Sequence, residues 1–215
     1  MKPNLFIKEV YRRMSLRSSS LEKKHYLSLQ NFLNQDDAIS AAQAYKQILP
    51  KNKNARILDI GFGTGWFMAA CLKMGYNNIY GADFFGKEKT KNILESCDSI
   101  KDVFNIDENI GDFLCEIDMK FDFIHMSHVI EHIPKYSLLY LVDTLYKSLE
   151  KEGTLFLRTP NMEGPAANSS YYVTLTHEYG FSPRNIRSLL YISGFEEIQF
   201  HRFNKSRSIK QLIGH

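Results

Sequence analysis

From Arg56 onward, short apolar runs alternate with stretches whose apolar residues recur at helical spacing, whereas residues 1–50 show the helical spacing alone. Such alternation predicts a parallel sheet with crossover helices. Strands are expected at residues 56–60, 78–82, 103–106, 121–126, 154–158 and 195–200. Helices are expected at 66–74, 87–97 and 136–149, and after Ser182-Pro183, a capping residue followed by one that opens helices. Upstream, residues 21–33 carry one apolar stripe, and Asp36 or Asp37 caps a further helix that Pro50 ends. The expected fold class is α/β, a doubly wound, mostly parallel sheet. A helical segment, residues 1–54, precedes a ligand-binding domain, residues 55–215.

Asp59-Ile60-Gly61-Phe62-Gly63-Thr64-Gly65 sits where the first strand turns into the first helix. Glycine there permits positive φ and lets a ligand lie against bare backbone. In an open α/β sheet this turn is at the carboxyl edge, where ligands bind. Asp83 ends the second strand, at the spacing of an acid that grips ribose hydroxyls. A dinucleotide fingerprint would need a glycine where Trp66 stands. A carboxylate at Asp59 would also repel a pyrophosphate, while it suits a ligand bearing an ammonium and a sulfonium.

Composition narrows the setting. With 44% apolar and 24% charged residues, the chain reads as one soluble globular unit with a full core. A net charge of +3 gives no concentrated basic face for nucleic acid. Basic residues do gather at 8–24 and 202–210, read as solvated faces, with an anionic acceptor's docking surface as the alternative. Cys71, Cys97 and Cys115 are too scattered for a disulfide framework or a zinc ribbon, which fits a reducing compartment. No apolar run is long enough for a signal peptide or a membrane span, so a cytoplasmic location is expected.

Several segments in order resemble the class I S-adenosylmethionine-dependent methyltransferase superfamily, in its ubiquinone-biosynthesis-like, small-molecule and glycan-modifying branch. They are ILDIGFGTGW, GADFF, Gly111-Asp112-Phe113, Phe121-Asp122-Phe123-Ile124 with His128-Val129-Ile130-Glu131-His132-Ile133-Pro134, and Gly153-Thr154-Leu155-Phe156-Leu157 with Thr159-Pro160-Asn161. The resemblance implies a Rossmann-like methyltransferase fold with residues 1–54 as a lid over the cofactor. It implies that Gly61, Gly63 and Gly65 line the methionine part of S-adenosylmethionine and that Asp83 takes the ribose hydroxyls. Phe84 would flank the adenine, Asp112 (with Phe113 beside it) would accept from its amino group, and Ser127 would sit by the methionine moiety. Asp59 would act through water or the loop backbone. For Asp112 the competing reading is an ordinary surface turn.

His128, Glu131 and His132 stand at i, i+3 and i+4, which a helical turn would bring to one face. The pattern is formally that of inverzincin peptidases, but a buried strand before it and Pro134 after it leave no long helix. Relatives in the methyltransferase superfamily bind a divalent cation here with a distant histidine, for which His177 is the candidate. That gives His128, Glu131, His132 and His177 as a candidate metal set. The reading placed ahead of it is metal-free, with a histidine as general base, His128 first and His132 or His177 as alternatives. The expected acceptor is a hydroxyl on a sugar, a glycan precursor or a related small metabolite. N- or carboxyl methylation of a small molecule, or a non-catalytic cofactor-binding subunit, are the alternatives. His125 is expected to be a strand-end residue with a local hydrogen bond.

Overall fold

The structure is a computed structural model and describes residues 9–10, 45–63, 65–84, 97–107, 109–165 and 167–201. Most of the expected lid and the expected helix at 87–97 lie outside the described residues.

Five strands form one parallel sheet: β1 (Ile57–Ile60), β2 (Ile79–Asp83), β3 (Ile100–Asn105), β4 (Phe121–Ser127) and β5 (Leu149–Arg158). Their order is β3-β2-β1-β4-β5. Between β1 and β4 the winding reverses, and there the crossovers leave a crevice above the carboxyl ends. Every residue of β1 is buried, as a central strand covered on both faces must be. Leu58 and Ile60 join one core layer with Ile124, Met126, Leu141 and Leu145, while Ile57 joins the other with Phe67, Met68 and Phe123.

Five of the six expected strands, and the expected helices at 66–74, at 136–149 and after Ser182, recur with boundaries shifted by a few residues. Helix α1 spans Trp66–Lys73, as the periodicity indicates. Helix α2 (Ile110–Ile117) was not expected, although Ile110, Phe113, Leu114 and Ile117 follow helical spacing behind the N-cap Asn109. Helix α3 is Leu138–Lys147, preceded by a 3-10 turn at Lys135–Ser137. A short α4 (Ala167–Tyr171) precedes α5 (Pro183–Ile192). Ser182 and Asn185 cap α5 reciprocally, Ser182 Oγ accepting from Asn185 N at 3.3 Å and Asn185 Oδ1 from Ser182 N at 2.8 Å.

Two expectations change. β5 begins at Leu149 rather than at residue 154, because a bulge intervenes. Leu149 pairs with Phe121 and Thr154 with Phe123. Glu152 takes φ 65°, and a Cβ on Gly153 would lie 2.9 Å from Glu150 O and 3.0 Å from Phe121 O. Residues 195–200 form no strand. That segment folds back on its own helix instead: Phe195 N bonds Leu190 O at 3.1 Å, Arg187 bonds Ile198 O at 3.3 Å, and the Arg187 guanidinium covers the Phe200 ring. Among the described residues, no helix is long and apolar enough to cross a membrane.

Candidate active site

Two sets of residues meet at the crevice, one after β1 and β2, the other after β4 and β5. On the first side, Gly61, Gly63 and Gly65 all take positive φ, at 69°, 54° and 78°. A Cβ on Gly61 would collide with Val129 Cγ2, so the turn runs directly against the loop leaving β4. On Gly63 the nearest atom to a Cβ among the described residues would be 4.0 Å away, so that backbone is open on the described side of the crevice. Gly61 N bonds Ala82 O at 2.7 Å, and Gly63 N donates to Asp83 Oδ2 at 2.9 Å. Asp83 therefore holds the turn as well as ending β2. Helix α1 starts at Gly65 without a side-chain cap, leaving first-turn N–H groups without that partner.

Asp59 is 2% exposed and lies beneath the turn. Its Oδ1 is 2.7 Å from His125 Nδ1, and its Oδ2 has no hydrogen-bond partner. Burial raises its pKa, opposed by the charge and hydrogen bond of His125. The expectation for His125 is thus corrected. It is a buried mid-sheet residue, in register with Asp59, and its bond spans two strands rather than a local turn. A polar residue within the apolar run of each central strand was the available signal.

Asp112 is the N3 residue of α2. Its N–H bonds Asn109 Oδ1 at 2.7 Å, its Oδ2 accepts from Asn109 Nδ2, and its Oδ1 accepts from Tyr140 at 2.8 Å. Asn109 caps α2, and the Asp112 carboxylate holds the capping side chain and ties α2 to α3. Phe113 does not line the crevice but belongs to the core, with its ring 5.5 Å from Phe104. The acid that follows β3 at the carboxyl edge is instead Asp107. Asn105 pairs with Asp83, and Ile106 N bonds Asp83 O at 3.0 Å. Phe84, half-buried, follows Asp83 directly.

On the second side, Ser127 ends β4 in register with Arg158 at the end of β5. His128 follows at φ 57°, a left-handed conformation uncommon for a residue with a Cβ. Its N–H bonds Arg158 O at 2.8 Å. A 3-10 turn, Ile130–His132, comes next. The expected single helical face is therefore absent, and His128 turns outward, its side chain 52% exposed. It reaches the cluster only through Glu131, Nδ1 to Oε1 at 3.1 Å. Glu131 is buried, with Oε2 lacking a partner. Its burial raises the pKa, but the His128 hydrogen bond and the neighbouring histidines outweigh this and leave it lowered.

His132 and His177 come together as expected, their ring centroids 4.8 Å apart. His132 Nδ1 donates to Thr176 O at 2.9 Å and His177 Nδ1 to Tyr171 O at 2.8 Å. A carbonyl only accepts, so both Nδ1 atoms carry a proton, and in a neutral ring that arrangement leaves Nε2 with the lone pair. Backbone bonds from Glu178 N and Tyr179 N to Glu131 O pin the His177 segment over the turn. Potential ligand atoms of Glu131, His132 and His177 lie within 4.8 Å of one another. His128 is not in that group, so the four-residue metal set becomes a set of three.

The comparisons with known proteins agree with this architecture. The profile of the family described as "Methyltransferase domain" matches residues 25–212. The ribosomal protein L11 methyltransferase of Lactobacillus gasseri is 28% identical over 137 residues, 60% of this chain and 40% of that protein. A second curated relative, from Haemophilus influenzae and without a described function, is 30% identical over 114 residues, 50% of this chain and 43% of its own length. The chain thus spans less than half of either relative. A SAM-dependent methyltransferase from Archaeoglobus fulgidus superposes with a TM-score of 0.61 at 21% identity, covering 82% of this chain and 73% of that one. With the glycine turn at the switch point of a 3-2-1-4-5 parallel sheet, and a family match over most of its length, the chain belongs to the methyltransferase domain family.

Proposed function

We propose that the protein methylates a hydroxyl group, on a sugar, a glycan precursor or a related small metabolite. The observation that carries this is the cluster of histidines gathered after β4: His128 anchored on Glu131 through Nδ1, with His132 and His177 held through Nδ1 by backbone carbonyls. An amine acceptor needs no such base, whereas a hydroxyl must lose its proton as it attacks.

The fit of the cofactor rests on the turn. Glycines at positive φ, an open face at Gly63 and an uncapped α1 start make a cradle for a zwitterionic ligand. S-adenosylmethionine supplies an already activated methyl group, so the protein has to align the acceptor and exclude water. Gly61, Gly63 and Gly65 would hold the methionine end, beside Ser127. Asp83 would take the ribose hydroxyls and Phe84 would flank the base. Because Asp112 is committed to Asn109 and Tyr140, the adenine-side acid is assigned to Asp107.

On the acceptor side, Glu131 holds the His128 ring through Nδ1 and stabilises the imidazolium formed when Nε2 takes the hydroxyl proton. His132 and His177 then orient the acceptor. Residues 1–54 are proposed to cover the crevice as a lid. A second reading has a specific observation behind it. The unpartnered Oε2 of Glu131, with His132 and His177, fits a small divalent cation, which would lower the acceptor's pKa. Calorimetric titration with zinc, manganese or magnesium tests this without any turnover assay.

The main reading is tested by offering methyl-labelled cofactor with panels of hydroxyl, amine and carboxylate acceptors. Label is expected on hydroxyls. Transfer confined to amines overturns the proposal.

A further inference from the structure

Beneath the glycine turn, three protonatable side chains form a chain that the proposed transfer does not use. Asp59 Oδ1 meets His125 Nδ1 at 2.7 Å, and His125 Nε2 meets the Tyr45 hydroxyl at 2.9 Å. All three are buried. The His125 ring is clamped between Phe67, stacked at 3.8 Å and 10°, and Phe156, stacked at 5.3 Å and 6°. Sheet register aligns Asp59, His125 and Phe156 in one row across β1, β4 and β5. Ser127 and Arg158 lie two positions on along β4 and β5, as Gly61 does beyond β1, and those positions reach the carboxyl edge.

A polar row in the apolar centre of a sheet costs folding free energy. Its geometry defines what it does. With Nδ1–H donated to an anionic Asp59 by a neutral ring, Nε2 accepts, and the Tyr45 hydroxyl supplies that proton. Every proton in the chain points toward Asp59. One carboxylate oxygen is satisfied, and the other is buried without a partner two residues before Gly61.

We propose that His125 is a positioning residue for the cofactor, holding the Asp59 carboxylate as a fixed anion beneath the glycine turn, with Tyr45 locking the ring in the tautomer this requires. Asp59 then acts on the ligand's ammonium and sulfonium by its field rather than by contact, since it is sealed from solvent. The other groups facing the row are Asp83 at the end of β2, Cys71 on α1 and Arg158 at the end of β5. Asp83 acts against a charge on Asp59, and the charge and hydrogen bond of His125 oppose it. This inference rests on the cofactor lying at the glycine turn.

The test is S-adenosylmethionine affinity by calorimetry, on the full chain, from pH 6 to 9. His125→Phe keeps the ring stack and removes both nitrogens. It should weaken binding by about tenfold, the effect of one unit charge within about 10 Å at an effective dielectric of about 20. That loss should shrink as pH rises and Asp59 re-ionises, a recovery that a packing defect would not show. Asp59→Asn should lose as much, without recovery, and the double variant no more than either single. His125→Asn, which restores a donor at the Nδ1 position, should bind like the wild type. Additive losses, a pH-independent loss in His125→Phe, or wild-type affinity in Asp59→Asn overturn the proposal. Should His125→Phe not fold, His125→Asn decides: a loss equal to that of Asp59→Asn at an unchanged melting temperature overturns it. Asp83→Ala separates the two readings. If it loses affinity while His125→Phe and Asp59→Asn do not, only this inference fails. If none of the three loses affinity, the cofactor's placement fails with it.

Discussion

The two sides of the crevice are built by different means. The side after β1 is made of backbone: three positive-φ glycines within five residues, locked by Asp83 and Ala82. The side after β4 is made of side chains brought from two distant segments, with His132 and His177 joined through Thr176, Tyr171 and Glu131. Backbone geometry of the first kind imposes a short local pattern, whereas convergence of the second kind imposes none. A shared ligand can therefore be held by a constant half while the acceptor half varies freely.

The largest expected effect separates the halves by function. His128→Ala should lower turnover by about 10²–10⁴-fold, the usual contribution of a positioned base. Its cofactor affinity should stay unchanged. An equal loss in cofactor binding would show that the two sides are not separable. Adding EDTA to the wild type sharpens the same point. Unchanged turnover is expected of His128 acting alone, and abolished turnover with intact cofactor affinity would transfer the role to a cation on Glu131, His132 and His177.

Next comes Asp83→Ala. A charged acceptor for ribose hydroxyls contributes about 1.5–3 kcal/mol, so cofactor affinity should fall about tenfold or more. The substitution also frees Gly63 N–H, so the turn should exchange its amide protons faster even without ligand. Calorimetry and hydrogen exchange read these two losses separately. Unchanged affinity removes Asp83 from the site.

The glycines rank themselves within the first side. Gly63→Ala meets open space among the described residues and should cost only the left-handed strain, about 1–2 kcal/mol. Gly61→Ala carries that strain and also drives a methyl into Val129, so it should cost more and shift the loop after β4. Equal melting temperatures for the two variants would mean that the turn does not press on that loop.

What was legible in the chain follows the same division. The strand positions, the glycine turn and Asp83 could be read because each leaves a local signature: an apolar run, a required conformation, a strand-end position. The pairing of His132 with His177 was available only through resemblance. The outward turn of His128 was not legible, because a left-handed residue before a 3-10 turn looks in sequence like the start of a helix. Asp112 misled for a related reason. Asn109-Ile110-Gly111-Asp112 is a helix start, and its acid bonds the capping Asn109 and Tyr140. His125 was hidden because its partner is a neighbouring strand, and only the sheet register brings Asp59 beside it.

The smallest expected effect is on stability against pH, and it belongs to the acceptor side. Burial lowers the pKa of His132, in part offset by its bond to Thr176 and by Glu131. Below about pH 6.5 the unfolded chain gains a proton on this residue that the folded chain does not, so the folded state loses stability as pH falls from there. Glu131, held below the ordinary carboxylate range, contributes stability above about pH 4.3 that is lost only as pH falls further. Melting temperature should therefore decline in two stages on acidification. His132→Asn keeps a donor for Thr176 O but has no titrating ring, so it should flatten the first stage and leave the second. A variant that still declines between pH 6.5 and 5 with the wild-type slope would assign that stage to another group and detach His132 from the buried cluster.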